Sequence, residues 1–289
     1  MKSRVLFTKT VSPEAVLKIY KALGVQLDGR VAVKVHSGEV GNQNFLRPQF
    51  WSDIMREVGG TVVECNTAYE GGRNTTARHV KTLKLHGWSD AYDFEILDSE
   101  APDLELDIPD GKRRKKNYVG RGITKYDSIL VLSHFKGHPS GGYGGAIKQL
   151  SIGFASSYGK AYIHGVGKPD EFWTANHDDF LRSMADAAST VSKMFEGKAV
   201  YINVMANMSV DCDCCAKAKD PCMSDIGILA SCDPVAIDRA CLDLVYSSTD
   251  PGRDTLVERI ESRNGVLTLN SAYELGLGSL DYELEEITV

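Results

Sequence analysis

Two histidines, two lysines and a run of glycines lie close together between Ser133 and Lys148. Imidazole and amine groups can move protons or bind metals, and glycine lets backbone N–H groups approach an anion or a cofactor closely. The alternative is a structural glycine turn that carries two surface histidines. We interpret the segment as functional, because an isolated turn does not usually combine two histidines with two lysines. The candidate catalytic residues are His134, His138 and Lys148, and the candidate cofactor-binding residues are Gly141, Gly142, Gly144, Gly145, Lys136 and, from another loop, Arg73.

A second segment contains four closely spaced cysteines, Cys212, Cys214, Cys215 and Cys222. Thiolates are soft ligands that suit zinc, iron or copper. The spacing follows no standard zinc or ferredoxin pattern, and two adjacent cysteines do not easily face one tetrahedral ion. The segment therefore predicts either a metal site or a loop of reduced thiols with a redox-sensitive pair. We interpret the other three cysteines as small core residues; these are Cys65, Cys232 and Cys241.

Polar residues follow two earlier apolar segments in the same way. Arg73 follows the segment 61–64 and could hold a carboxylate or phosphate, or could be a solvated arginine on a glycine turn. The stretch from His36 to Asn44, which includes Glu39 and Asn42, follows the segment 31–35. Three other histidines lie on or beside predicted helices, and we interpret them as surface residues; these are His79, His86 and His177.

An alternation of strand-like and helix-like segments positions these residues. Short apolar runs bounded by turn residues predict strands, and periodic segments that begin with a cap residue or a proline predict helices. The alternation indicates an α/β fold, Rossmann-like, with a mostly parallel sheet flanked by helices. Because ligands bind at the carboxyl ends of parallel strands, we expect the candidate loops to meet at one sheet edge. The predicted strands are Val5–Lys9, Val31–Val35, Thr61–Glu64, Ser128–Leu132, Ala199–Val204 and Asp225–Ala230, and the predicted helices are Pro13–Leu23, Pro48–Val58, Thr75–His86, Asp178–Glu196, Pro234–Val245, Asp254–Arg263 and Ser271–Leu275.

The composition and charge of the chain limit its functional class. Hydrophobic residues make up 43% and charged residues 25% of the sequence, which is typical of a globular protein. The formal charge of -6 argues against binding nucleic acid or an anionic membrane, and we interpret the basic run 112–116 as a solvated loop. Without an export signal, we expect a cytoplasmic protein with reduced thiols. We expect one unit over residues 1–289, or two α/β lobes of about 1–130 and 131–289.

Several stretches together resemble a family of uncharacterised iron–sulfur-centre proteins that carry a domain of unknown function. They are VAVKVHSGEVGNQNFLRP, CNTAYEGGRNTTARHV, SHFKGHPSGGYGGAIKQLSIGFAS, VDCDCCAKAKDPCMSDIGILASCDPVAID and AYELGLGSLDYEL. In many relatives a ferredoxin module follows the position of His164. This sequence has no cysteine between His164 and Ala199, so the resemblance implies a member without that module and without ferredoxin-type clusters. The cofactor that we expect instead is a metal ion of unknown identity, with iron, zinc and nickel as candidates.

A weaker resemblance concerns the segment HPSGGYGGAIK, which is similar to an element of the nickel-pincer lactate racemases. In that family a histidine ten residues before the lysine transfers protons, the lysine carries the cofactor, and a histidine sixteen residues later binds nickel. His138, Lys148 and His164 have these spacings. The resemblance therefore implies His164 as a metal ligand. Gly72 stands where that family has its second catalytic histidine, in the loop that contains Arg73.

These patterns predict a metal- or cofactor-dependent enzyme that acts on a small molecule. The alternatives are a non-catalytic metal-binding or redox carrier that uses the cysteines, and a scaffold that has lost a cluster. We expect the three candidate catalytic residues to line one pocket with Arg73 and the His36–Asn44 loop. We also expect Cys212 and Cys214 to approach one another. Lys148 is expected to be buried, to face His138 and His164, and to have a lowered pKa.

Overall fold

A computed structural model describes residues 2–289 of the protein. Its centre is an eight-stranded sheet with the strand order β12-β1-β11-β10-β7-β2-β3-β4. All neighbouring strands are parallel except β11, which runs antiparallel to both β1 and β10. The strands of this sheet are β1 (Ser3–Thr8), β2 (Val31–Lys34), β3 (Thr61–Glu64), β4 (Phe94–Ile96), β7 (Ser128–His134), β10 (Ala199–Met205), β11 (Gly227–Ser231) and β12 (Tyr282–Glu286). The predicted α/β fold with a mostly parallel sheet is confirmed.

Ten helices surround the sheet in the part of the chain from residue 2 onward, together with two short hairpins. The helices begin at cap residues that their sequence supplies; Ser12, Asn176 and Asp233 each accept a backbone N–H of the first turn. The helices are α1 (Pro13–Ala22), α2 (Ser52–Val58), α3 (Thr76–Leu85), α4 (Trp88–Ala91), α5 (Ala146–Lys148), α6 (Ser157–His164), α7 (His177–Met194), α8 (Pro234–Ser247), α9 (Arg253–Ser262) and α10 (Val266–Glu274). The hairpins are β5 (Leu104–Asp107) with β6 (Lys116–Val119), and β8 (Lys136–His138) with β9 (Gly142–Gly144).

Each face of the sheet has its own apolar core. The first four helices pack on one face, where Ile19, Ile54 and Trp88 meet Val33 and Leu130. The helices from α5 onward cover the other face, where Val131 and other sheet residues meet apolar residues of α7, α8 and α9. Because the central strands are buried on both sides, most of their side chains are apolar, and β7 has no exposed residue. The strand ends are therefore the places where polar side chains can cluster.

The basic run is not a purely solvated loop. Arg114 is buried, and its side chain donates to the Ser183 hydroxyl and the Ser183 carbonyl. The Asp186 carboxylate accepts the backbone N–H groups of residues 112–114, which orders the turn around it. The run therefore contributes a structural contact with α7. None of the described helices is both long enough and apolar enough to cross a membrane.

Candidate functional site

A cavity of about 280 Å³ lies at the carboxyl ends of β2 and β3, where it also meets the loop that follows β7. These strands are parallel neighbours, so the loops after them meet at one sheet edge. The wall of the cavity combines imidazole, thiol, ammonium and guanidinium groups with aromatic side chains. It includes the sequence-predicted residues Arg73, His138, Lys148, His164, Cys214 and Cys215, and also His36.

The short β8–β9 hairpin sets the orientation of His138. Its Nδ1 accepts the backbone N–H of Ser140 at 3.1 Å and that of Gly141 at 2.9 Å. The ring proton therefore lies on Nε2, which is 3.7 Å from the Cys214 sulfur. Burial lowers the pKa of His138, and the nearby Lys148 ammonium lowers it further. His138 is thus a neutral imidazole that points an N–H group at the cysteines.

His36, which follows β2, has a similar arrangement on the cavity wall. Its Nδ1 accepts the backbone N–H of Gly38 at 3.2 Å, and its ring is near the Cys212 thiol. Burial, together with the charge of Arg73, lowers the pKa of His36 to about 4. Two neutral histidines therefore face the cysteines with their N–H groups.

The Cys212 sulfur is surrounded by hydrogen-bond donors. The Lys148 Nζ is 3.7 Å from it and the backbone N of Cys214 is 3.4 Å from it. Burial raises the pKa of the Cys212 thiol, but the hydrogen bond with Cys214 and the charges of Lys148 and Lys136 outweigh burial and hold the pKa well below the ordinary value. The hydrogen bonds with Cys212 and Cys215, followed by burial, raise the pKa of Cys214. The negative charge of the pair therefore lies on Cys212.

Lys148 is at the end of α5, whose amino terminus is fixed by a residue from another helix. The buried Asp238 of α8 accepts the backbone N–H groups of Ala146 at 2.7 Å and Ile147 at 3.0 Å. Burial opposes a charge on Lys148, but Cys212 and Cys214 outweigh it and raise the pKa of the lysine. The expected lowering of the Lys148 pKa is therefore wrong, because our prediction did not include a thiolate beside the amine. Lys148 is half-buried.

His134 and Lys136 lie behind the cavity wall instead of lining it. The Asp213 carboxylate is 2.9 Å from the His134 Nδ1 and 2.7 Å from the Lys136 Nζ. Burial alone would raise the pKa of Asp213, but His134 and Lys136 hold it well below its usual range. These ion pairs connect the end of β7 to the cysteine loop. Because Asp213 lies between Cys212 and Cys214 in the sequence, they help to position both cysteines.

The four glycines of the predicted cofactor loop do not line the cavity. A Cβ on Gly145 would clash with the Asp238 carboxylate, and a Cβ on Gly142 would come within 2.8 Å of Gly265. Gly142 also has a φ of +79°, which residues other than glycine rarely adopt. Gly144 is next to the Lys148 side chain, and Gly141 donates to His138. Their observed role is close packing around the catalytic candidates.

Arg73 lines the cavity as part of a buried ion-pair network. Its Nε is 3.2 Å from the Glu39 carboxylate and its guanidinium is 3.7 Å from Glu64. Glu64 also pairs with Lys34 at 2.6 Å. Burial would raise the pKa of Glu64, but the positive charges of Lys34 and Arg73 hold it well below its usual range. Arg73 is therefore not a solvated arginine, and its charge is already compensated.

The remaining predicted metal ligands are separated from one another. The His164 ring lines the cavity between Phe172 and Phe180, with ring centroids 4.3 and 4.4 Å away, and burial lowers its pKa to about 3. Cys222 is elsewhere; its sulfur is 3.2 Å from the Met208 carbonyl and it packs on the core. Cys215 lines the cavity next to Cys214.

Three donors are close enough to share a metal ion. The side-chain donor atoms of His138, Cys212 and Cys214 all lie within 4.8 Å of one another. The two sulfurs suit a soft metal, which the site would need to bind as thiolates. A metal-bound histidine normally donates its second ring nitrogen to an acceptor, whereas the His138 Nδ1 accepts from two backbone N–H groups. The two sulfurs therefore fit the role of metal ligands. His138 fits better as a hydrogen-bond donor beside the metal than as a ligand.

Sequence reasoning missed the ionisable residues that support the site, namely Lys34, Glu64, Lys160, Asp213 and Asp238. Lys34 is the penultimate residue of one predicted strand and Glu64 ends another, and a charge near the end of a buried strand is a signal that could have identified them. Two expectations about burial were wrong. His79 is fully buried, with its Nδ1 3.3 Å from the Asn66 amide oxygen, and Cys232 is exposed rather than part of the core.

Comparisons with known proteins give one family and several solved structures, including the two below. The sequence model described as "Domain of unknown function (DUF362)" matches residues 31–243. The lactate racemase apoprotein from Thermoanaerobacterium thermosaccharolyticum is 14% identical with a TM-score of 0.48, and the match covers 85% of this chain and 58% of that one. A crystal structure of a protein from Thermotoga maritima is 10% identical with a TM-score of 0.45, covering 91% of this chain and 58% of that one. This chain thus spans less than two thirds of either protein. No curated protein matches the sequence.

Proposed function

This chain belongs to the DUF362 family, and we propose that it is an enzyme that uses a metal ion or a metal-containing cofactor in the cavity described above. The proposal rests on one observation: the Lys148 ammonium and the backbone N–H of Cys214 both point at the buried Cys212 sulfur, and the side-chain donor atoms of His138 and Cys214 lie within 4.8 Å of it. Structural cysteines of a protein core are usually surrounded by apolar groups and remain protonated. A buried thiolate with this many donors fits a ligand or a reactive group.

The sulfurs of Cys212 and Cys214 would hold the metal. Bound there, the metal would supply a Lewis acid or a redox centre. His138 would donate or accept a proton at Nε2, because its Nδ1 is already engaged by the backbone. Lys148 would orient a bound group through its ammonium. Zinc, iron and nickel all suit this donor set, and nickel is the metal implied by the resemblance of the segment with His138, Lys148 and His164 to the nickel-pincer lactate racemases.

A second candidate function is thiol redox chemistry without a metal. A low thiol pKa beside a second cysteine is typical of redox-active pairs, and Cys214 is two residues from the Cys212 thiolate. In that case the Cys212 thiolate would attack a disulfide of the substrate and form a mixed disulfide. Cys214 would then attack the Cys212 sulfur, which forms the Cys212–Cys214 disulfide and releases the reduced substrate. The two functions predict different products on purification, a bound metal or a reversible internal disulfide.

Metal analysis of protein purified without oxygen tests the proposal. The protein is produced in medium supplemented with nickel, iron and zinc, and its bound metal is measured per chain. We expect a close to stoichiometric metal in the wild type and a loss of metal affinity of about tenfold or more in Cys212→Ser and Cys214→Ser. Cobalt(II) titration of the metal-free protein should give a thiolate-to-metal charge-transfer band that both variants lose.

Two other cysteines provide matched controls. Cys222→Ser and Cys232→Ser remove thiols that lie outside the cavity, so both should keep the metal. Unchanged metal content in Cys212→Ser would overturn the metal site. A metal-free wild type that forms a reversible Cys212–Cys214 disulfide would support the redox function instead.

A further inference from the structure

Lys160 is a lysine of the cavity wall for which the proposed function has no role. It lies on α6, its side chain lines the cavity, and the residue is only 7% exposed. Its Nζ donates to the Ala155 carbonyl at 2.5 Å, and within the described residues 2–289 it forms no ion pair with a carboxylate. Burying an ammonium without an ion pair is costly, so this position favours the neutral amine.

The aspartates whose charge reaches Lys160 are occupied by other donors. Asp98 accepts the backbone N–H groups of Asn66 at 2.9 Å and Ser157 at 2.8 Å. Asp103 accepts the hydroxyl of the serine that caps α6. Both carboxylates therefore act on Lys160 from beyond ion-pair distance. Burial is the largest influence on the pKa of Lys160 and lowers it, and the charge of Asp98 does not outweigh burial.

A cysteine lies on the same wall as Lys160, but it is a thiol rather than a thiolate. The Cys65 sulfur donates to the Phe154 carbonyl at 3.3 Å, which requires its proton, and burial raises the pKa of this thiol. Lys148 differs, because its ammonium is beside the Cys212 thiolate, which stabilises the charge. Lys160 therefore gives up its proton more readily than Lys148 does.

A second amine near Lys160 acts in the same direction as burial. Lys34 lines the same cavity and pairs with Glu64 at 2.6 Å. Its charge lowers the pKa of Lys160 by more than the Glu64 carboxylate raises it. In enzymes, a lysine becomes a good nucleophile when it is desolvated or lies beside another cation. Lys160 meets both conditions inside a cavity.

We propose that Lys160 is an amine nucleophile that forms a Schiff base with a small, uncharged aldehyde or ketone in the cavity. The nitrogen lone pair attacks the carbonyl carbon and forms a C–N bond. Both protons of the amine pass to the carbonyl oxygen by way of solvent, and this oxygen leaves as water when the C=N bond forms. The inference goes beyond the proposed function, because the imine forms without a metal.

The cavity suits an uncharged molecule with a short carbon skeleton. Its other cations are already compensated, Arg73 by Glu39 and Lys34 by Glu64. Its volume of about 280 Å³ limits the ligand to a small molecule. Apolar surface gains free energy when it covers the carbon skeleton of a ligand. The aromatic residues on the wall include Phe172, Trp173 and Phe180.

Reductive trapping with propionaldehyde and sodium cyanoborohydride at neutral pH tests the nucleophile. Cyanoborohydride reduces an imine to a stable propyl-lysine, and peptide mass spectrometry then gives the labelled fraction of each lysine. We expect Lys160 to be labelled about tenfold or more faster than the exposed Lys168, because more of it is neutral amine and because the apolar wall retains the aldehyde. Its labelling rate should also level off at a lower pH than that of exposed lysines, whose ordinary pKa is about 10.4.

Lysines of the same chain provide the controls. Lys160→Met should lose the adduct and leave the labelling of Lys168 unchanged, and the wild-type peptide map decides the matter if this variant does not fold. Lys148 lines the same cavity and should stay largely unlabelled, because the Cys212 thiolate holds its proton. Labelling of Lys160 no faster than that of Lys168, or faster labelling of Lys148 than of Lys160, would each overturn the proposal.

Two further arms test the ligand class and separate this inference from the metal site. Glyoxylate is an aldehyde that carries a carboxylate, and its preference for Lys160 over Lys168 should be at least about tenfold smaller than that of propionaldehyde; a larger preference would overturn the uncharged class. A Lys160 adduct that persists in a metal-free Cys212→Ser variant supports the nucleophile even if the chain binds no metal. Metal binding without any Lys160 adduct supports the proposed function and overturns this inference.

Discussion

At the scale of single residues, the site depends on where one negative charge is placed. Cys212 holds it because donors converge on its sulfur, and Lys148 is the nearest cation. Burial favours the neutral thiol, and the Lys148 charge favours the thiolate. Without that charge, the pKa of Cys212 should therefore rise. The state of Cys212 is therefore a sensitive measure of the geometry around it.

We expect Lys148→Met to raise the pKa of Cys212 in the reduced, metal-free protein. In the wild type the thiolate should persist below neutral pH, because the folded pKa lies well below the ordinary value for a thiol. In the variant the thiolate should be lost at a higher pH as the solution is acidified. Far-ultraviolet thiolate absorbance, measured against Cys212→Ser as a blank, reports the titration. Lys168→Met should titrate like the wild type, and an identical curve for Lys148→Met would contradict the assignment.

At the scale of elements, a helix far away in the sequence holds the segment with Lys148 in place. Asp238 of α8 caps α5 through two backbone N–H groups and also accepts from the Asn203 amide at 2.8 Å. Gly145 allows this approach, since any side chain there would clash with the carboxylate. Burial raises the pKa of Asp238 to about 6, despite these hydrogen bonds. The cap therefore links the position of Lys148 to the packing of α8.

Asp238→Ala should lower the free energy of unfolding by about 3 kcal/mol, because three buried donors lose their acceptor. It should also weaken metal binding, since α5 would no longer be held. Urea denaturation measures the first effect and metal titration the second. Asp254→Ala provides the control, as that carboxylate is exposed on α9 and its loss should change stability by less than about 0.5 kcal/mol. A stable Asp238→Ala variant would contradict the proposed role of the cap.

Elements with a clear local signal could be predicted from the sequence. β3 is found at its predicted bounds, and Pro48 and Gly59 correctly mark the ends of the second helical segment, which begins as a 3₁₀ turn. β12 was not predicted, because Tyr282–Glu286 is mostly exposed and acidic and is a strand only through its pairing with β1. α6 was not predicted either, since Gly159 interrupts its pattern; that glycine is required where the chain packs on the Tyr118 carbonyl.

The candidate site was predictable only where its residues give a signal in the local sequence. His138, Lys148 and Cys212 belong to segments that are unusual by their own composition. Lys160 and Asp238 belong to ordinary helices, and only the tertiary contacts reveal that one is a buried lysine of the cavity wall and the other a remote helix cap. Their importance depends on what lies opposite them, and sequence spacing does not contain that information.

At the scale of the whole molecule, buried ion pairs tie the loops of the sheet edge together. Glu64 is ionised between the loops after β2 and β3, and Asp213 between the end of β7 and the cysteine loop. Both have folded-state pKa values well below their unfolded values. Such groups stabilise the fold above the unfolded pKa, and that stability is lost as the pH falls.

We therefore expect the free energy of unfolding to fall steeply as the pH drops below about 4, the ordinary pKa of a carboxyl group. Urea denaturation at a series of pH values measures this slope. Asp213→Asn should be less stable at neutral pH and should show a shallower slope on acidification, because one ionised carboxylate has been removed. Glu70→Gln changes a carboxylate that is 87% exposed and should keep the wild-type slope. A wild-type slope in Asp213→Asn would argue against the ionised state of Asp213.

The place of β1 in the sheet has a consequence for the chain while it is being synthesised. β1 lies between β11, where Leu6 pairs with Ala230, and β12, where Ser3 pairs with Tyr282. A ribosome that adds about 5–20 residues per second reaches β11 roughly 10–50 s after it has made β1. During that time Val5, Leu6 and Phe7 have no strand to pair with, although all three are buried in the finished protein. An apolar strand with free edges can pair with other chains, so the nascent protein would depend on a chaperone, or on early packing of β1 against α1, to keep the first strand available for its neighbours.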